Sequence, residues 1–120
     1  ENIGVLHYEQ KLYSEAEAFF REALALRRHS LDENHHLIAK SLTHIGHVMI
    51  LLERIREAEE ALSEAVRIGR SRPAGMDAEF AVILESYAYA LKLRGREDKV
   101  IPITAEARLL RAKSRYVVRR

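Results

Sequence analysis

Residues 3–24 read IGVLHYEQKLYSEAEAFFREAL, and the same order of small and large residues returns 42 positions later without a gap. Ile3-Gly4 aligns with Ile45-Gly46 and then with Tyr87-Ala88, and Glu15-Ala16-Glu17 aligns with Glu57-Ala58-Glu59. Phe20 meets Leu62, Ala23 meets Ala65 and Ala107, Leu24 meets Val66 and Arg108, and the stretch from Ala39 to Leu42 meets that from Ala81 to Leu84. A fixed period of this length marks supersecondary units stacked in a row, each too small to bury its own apolar face. The chain therefore divides into one array of units, 1–34, 35–76 and 77–120.

The spacing within each unit predicts two helices. In the first, a short helix is expected to end near Gln10-Lys11 and a second to start at Ser14. There Ser14 and Glu17 would form an S-x-x-E capping box. Ala16, Phe20, Ala23 and Leu24, with the stem of Arg27, recur at the interval of one buried helical stripe. This helix should fade near His29-Ser30, before the polar turn Asp32-Glu33-Asn34. Further helices are expected from His36 to Leu52 and from Arg56 to Arg70, after which Pro73 and Gly75 break the chain. Asp77 is expected to cap a fifth helix ending before Gly95, and a sixth covers Glu97 to Tyr116 with a kink at Pro102. The fold class is then all-α, an α-solenoid of three antiparallel helix pairs. Gly4, Gly46 and Ala88 on the first helices, and Ala16, Ala23, Ala58, Ala65 and Ala107 on the second, let the backbones approach.

Composition narrows the class. The chain is 48% hydrophobic and 32% charged, as ordinary folded proteins are. It has no cysteine, which removes disulfide and thiolate chemistry and favours a reducing, cytoplasmic setting. The longest apolar run, Val48 to Leu52, falls far short of the roughly 18 residues that a membrane span requires. Glu1 follows no methionine and opens no signal-like stretch, so the chain reads as part of a longer protein. The net charge of +2 is uneven, because residues 85–120 hold ten basic and four acidic side chains. A basic, degenerate last unit reads as the C-terminal cap of the array.

The quoted stretch resembles the tetratricopeptide repeats: a large apolar residue then Gly, Tyr two positions before Glu-Ala, a later aromatic, then Ala-Leu. The 42-residue spacing, with LDENHHLIAKSL between units, is similar to the kinesin-light-chain subtype. The resemblance implies a right-handed superhelix whose concave face, lined by the first helices, holds a peptide or partner protein. Carried onto this chain, the groove positions are Asn2, Val5, Tyr8 and Glu9 in unit one, with Glu1 beside them. In unit two they are Lys40, Thr43, His44, His47, Ile50 and Leu51. In unit three they are Ser86, Tyr89 and Lys92, with Glu85 and Leu93 beside them. The family places ligand-binding asparagines where Asn2, His44 and Ser86 stand, so two of the three positions keep hydrogen-bonding capacity with a different group. The basic set that clamps chaperone tails is replaced by Glu1, Val5, His44, Val82 and Ser86, which disfavours that ligand.

Other chemistries find less support. His44 and His47 lie one helical turn apart and His35-His36 lie near the same helix start, but no acidic residue or cysteine completes a metal set on that face. His7 stands where the resemblance implies a packed Tyr, and so reads as a core or half-buried residue. No nucleophile sits in a triad context, no glycine-rich phosphate loop is present, and Glu57, Glu59 and Glu60 read as a solvated helix surface. The chain is thus expected to be no enzyme and to need no cofactor or metal. Two alternatives remain. Arg27, Arg28, Arg67, Arg70 and Arg72, with the basic third unit, could face nucleic acid or an acidic partner. An uncovered first helix could instead pair with another copy.

Overall fold

The structure is a computed structural model that describes the backbone of residues 3–118 and the side chains of residues 9–114. It contains α1 (Ile3–Ser30), α2 (His36–Leu51), α3 (Ile55–Gly69), α4 (Asp77–Leu93) and α5 (Glu97–Val118), and no strand among the described residues. Each helix packs on the next, and among the described residues α2 also lies beside α4. The radius of gyration is 15.7 Å, above the roughly 13.6 Å of a compact domain of this length. An open stack explains both facts: this is an all-α solenoid, not a closed bundle.

The apolar residues bury layer by layer. Leu24, Ile38, Leu42, Ile45, Met49, Ala58, Ala65 and Ile68 form one cluster from α1, α2 and α3. Val66, Phe80, Ala81, Leu84 and Ala107 form the next from α3, α4 and α5. α3 serves both because its apolar residues occupy two adjoining stripes, with Ile68 on one and Val66 on the other. Small residues set the distance between layers, as the sequence suggests. A Cβ added to Gly46 would lie 2.5 Å from Cγ of Leu62, and one added to Gly69 would lie 2.5 Å from Cδ1 of Phe80.

The first unit departs from expectation. Its two anticipated helices are one helix of 28 residues, α1, so the described residues form five helices where the spacing predicts six. The reason lies at one repeat position. Gly95 and Glu53, 42 residues apart, both take positive φ, 75° and 62°, and close their turns in the same way. The amides of Arg54 and Arg96 donate to the carbonyls of Met49 and Leu91, and those of Glu53 and Gly95 to the carbonyls of Ile50 and Lys92. These paired bonds form the left-handed helix stop that glycine favours. The matching residue of unit one is Lys11, which lies inside α1. The helix simply continues. Ser14 then sits inside a helix and caps nothing. Glu17 instead accepts hydrogen bonds from Arg21 at 2.8 Å and Arg54 at 3.0 Å.

Two other caps differ from expectation. Asp77 is the first residue of α4 and not its cap, a place held by Met76 without a side-chain bond. The Asp77 carboxylate instead accepts from Arg72 at 2.7 Å and pairs with Lys113 at 3.3 Å, tying the α3–α4 loop to α5. At the start of α2 the cap is the His35 ring, whose Nδ1 accepts from the Leu37 amide at 3.1 Å. α5 runs through Pro102. No helix among the described residues is long and apolar enough to cross a membrane.

Candidate functional site

The first helices of units two and three, α2 and α4, lie side by side. Their faces meet at a hydrogen bond of 2.7 Å between His47 Nε2 and Ser86 Oγ. Alongside this bond, α2, α4 and the α3–α4 loop line a half-open cavity of about 420 Å³. Leu37, Ala39, Met76, Phe80, Val82 and Ile83 give it an apolar lining, and His36, Lys40, His44, His47, Arg72 and Glu79 stand around it. Apolar walls with a few convergent polar groups suit a ligand held by shape and oriented by hydrogen bonds.

Several of these polar groups are held by their surroundings. The His44 ring stacks on Phe20 of α1, with centroids 4.9 Å apart. Burial first, then the neighbouring positive charges of His47, Lys40 and Arg27, push its pKa below the usual histidine value. Contact with α4 removes enough water from the His47 ring to lower its pKa too. Both imidazoles are thereby biased toward the neutral form, which can accept as well as donate. Thr43 is buried and its hydroxyl donates back to the Ala39 carbonyl at 2.8 Å, so it forms wall and not contact. Arg72 lines the cavity. Its guanidinium lies 4.2 Å over the Phe80 ring, donates to Asp77, and reaches the Gly69 carbonyl at 3.1 Å.

Of the groove positions expected from sequence, Lys40, Thr43, His44 and His47 line this cavity, and Ser86 borders it through His47. Ile50 turns inward against the core cluster, and Leu51, Tyr89 and Lys92 are exposed without lining the cavity. Glu9 is exposed on α1. Asn2 lies outside the described residues, as do the side chains of Val5, His7 and Tyr8. The sequence reading missed Leu37, Arg72, Met76, Phe80, Val82 and Ile83. One signal was available, since Val82 is the 42-residue counterpart of Lys40.

The arginines named for a phosphate-binding face are largely engaged within the chain. Arg27 donates to the Leu37 carbonyl and the Ser41 hydroxyl, pinning α1 to α2. Arg67 pairs with Glu64, Arg70 with Glu106, Arg94 with Glu59 and Arg111 with Glu85. Among the described residues no three His, Asp or Glu side chains cluster as a metal site would require.

Stacked helix pairs with small residues at their crossings, and a cavity between adjacent first helices, define a helical-repeat solenoid. A family model described as Tetratricopeptide repeat matches residues 1–71, more than half of the chain. The chain belongs to the tetratricopeptide repeat family. No curated protein matches it.

Proposed function

We propose that the chain is a non-catalytic interaction scaffold that holds a peptide segment of a partner protein between α2 and α4. Repeats of this family generally mediate protein–protein interaction. The observation that carries the reading is the cavity of about 420 Å³ beside the His47–Ser86 bond, with Leu37, Val82 and Ile83 as its apolar wall. His44, His47 and Lys40 supply the donors and acceptors that would read a peptide backbone or a polar side chain. The 42-residue period supports the kinesin-light-chain subtype, and the same period supports units at 1–34, 35–76 and 77–120. The intramolecular pairing of Arg67, Arg70 and Arg111 argues against a phosphate-binding face.

The test is selection of random displayed peptides on the immobilised chain, followed by titration of the winners against variants. Val82 is 43% exposed, so Val82→Asp puts a charge in the cavity without disturbing the core. Val82→Asp and His47→Ala should each weaken the selected peptides about tenfold or more, with helicity unchanged. Peptides indifferent to both changes would move the site elsewhere and end this reading.

A further inference from the structure

The outward face of α5 is apolar where its counterparts in the other units are mostly charged. Ala105 and Leu109 stand two residues either side of the buried Ala107, which places them on the side of the helix turned away from α4. Ile101 and Ala112 continue this face by one turn each way, and Ile101 and Leu109 are 73% and 71% exposed. Shifted back by 42, the four positions read Glu59, Ser63, Arg67 and Arg70 on α3; shifted back by 84, they read Glu17, Arg21, Ala25 and Arg28 on α1. The repeat keeps this face polar twice and makes it apolar in unit three. A further unit stacked on α5 would not cover it. α4 packs on α3 in that way, and Ser63 and Arg67 remain exposed. A contiguous apolar face of this kind calls for a partner on the convex side of the array.

The charges around the face identify that partner. Glu97 and Asp98 occupy the first turn of α5, whereas Arg108 and Lys113 flank the apolar line in its second half. A second α5 laid antiparallel brings the acidic end of each helix onto the basic half of the other; laid parallel, like charges meet. We propose that two copies of this chain pair through the outward faces of their α5 helices, antiparallel, about a two-fold axis at Ala105. Residues equally far before and after Ala105 then stand at the same height, so Ile101 of one copy lies beside Leu109 of the other, and Asp98 beside Ala112. Lys113, 68% exposed on its 3.3 Å contact with Asp77, reaches Asp98 of the other copy, and Arg108 reaches its Glu97. Ala105 meets itself, and its small side chain lets the helices approach to about 8 Å, close enough for Ile101 and Leu109 to touch. With one helix from each copy the contact is small, and the dimer is of roughly micromolar strength. The pairing does not involve the α2–α4 cavity and stands whether or not a peptide binds there.

The chain has no cysteine, so single cysteines report the register cleanly. Sedimentation equilibrium of the 120-residue chain should show monomer and dimer in exchange. A short bismaleimide should link Ala105→Cys to itself in high yield. It should leave Ala112→Cys unlinked, because the two copies of that residue stand about 21 Å apart along the antiparallel pair. Leu109→Glu should raise the dimer dissociation constant about 100-fold, since each dimer buries the residue twice. Asp98→Lys should raise it about tenfold. Phe19→Glu, on the exposed side of α1, should leave it unchanged. Circular dichroism checks that each variant remains helical. A monomer at high concentration, a dimer linked through position 112 and not 105, or a folded Leu109→Glu or Asp98→Lys variant that dimerises as before would each overturn the pairing. So would a dimer lost in Phe19→Glu and kept in Leu109→Glu, which would place the interface on α1.

Discussion

Gly46→Ala tests whether small residues hold the layers together. The added Cβ would stand 2.5, 2.8 and 3.0 Å from Cγ, Cδ2 and Cδ1 of Leu62. Carbon atoms normally rest about 3.5–4.0 Å apart, so the overlap approaches 1 Å. The closest atom is the branch point of Leu62 and not its tip, and Leu62 is fully buried, so no simple rotation clears the clash. Crowding of this kind costs about 1–3 kcal/mol. Alanine returns about 1 kcal/mol through its better helix propensity, so the net expectation is a loss of about 1 kcal/mol. Leu62→Ala alone leaves a cavity and costs about 2–5 kcal/mol. In that background the obstruction is gone, and Gly46→Ala should stabilise by about 1 kcal/mol. The sign reversal amounts to a coupling of about 2 kcal/mol, well above the roughly 0.5 kcal/mol scatter of independent sites. Urea unfolding of the four proteins, followed by circular dichroism at constant m-value, measures it. Equal effects of Gly46→Ala in both backgrounds would refute the close-approach argument.

Three further expectations follow from the same coordinates. Glu53 sits at φ 62° where unit three has Gly95, so Glu53→Gly should raise unfolding free energy by about 0.5–1 kcal/mol; a loss in urea titration would contradict the strain. Arg72→Lys keeps the charge but loses the fork on Asp77 and the flat stack on Phe80. It should cost about 1–2 kcal/mol, whereas Arg28→Lys on the exposed surface stays within about 0.5 kcal/mol. The histidines set a pH dependence. His44 and His47 have pKa values lowered from 6.5 in the fold, so below that pH the unfolded chain binds more protons and stability falls with pH. Melting temperature should decline from pH 7 toward pH 5, and His44→Gln with His47→Gln should flatten that decline. A second loss below about pH 4.5 should persist in the double variant, because Asp77, Glu57, Glu64 and Glu85 are held below their ordinary values by hydrogen bonds from Arg72, Arg54, Arg67 and Arg111.

The helices and their order were legible in the sequence because they rest on local chemistry. Apolar residues at helical spacing fixed α2 to α5 within a residue or two, and the 42-residue period marked which small residues cross. Alanine at positions 58, 65 and 107 was readable as close packing because a small residue at a stripe position has no other use there. The sequence also held the key to α1, in the Lys11–Glu53–Gly95 series, but only the φ angles revealed that this position is the turn. A helix stop depends on one left-handed residue, and at two of the three positions a side chain other than glycine obscures it. The site was less legible still. His44 and His47 could be placed on α2 by their spacing, whereas Arg72, Met76 and Phe80 join them only through the way the α3–α4 loop folds back over Gly69. The exposure of Phe19 and Leu26 on α1 lay beyond sequence reasoning, because both have the pattern of buried residues. Whether such a face is covered depends on where another helix stands, and periodicity records the face but not its neighbour.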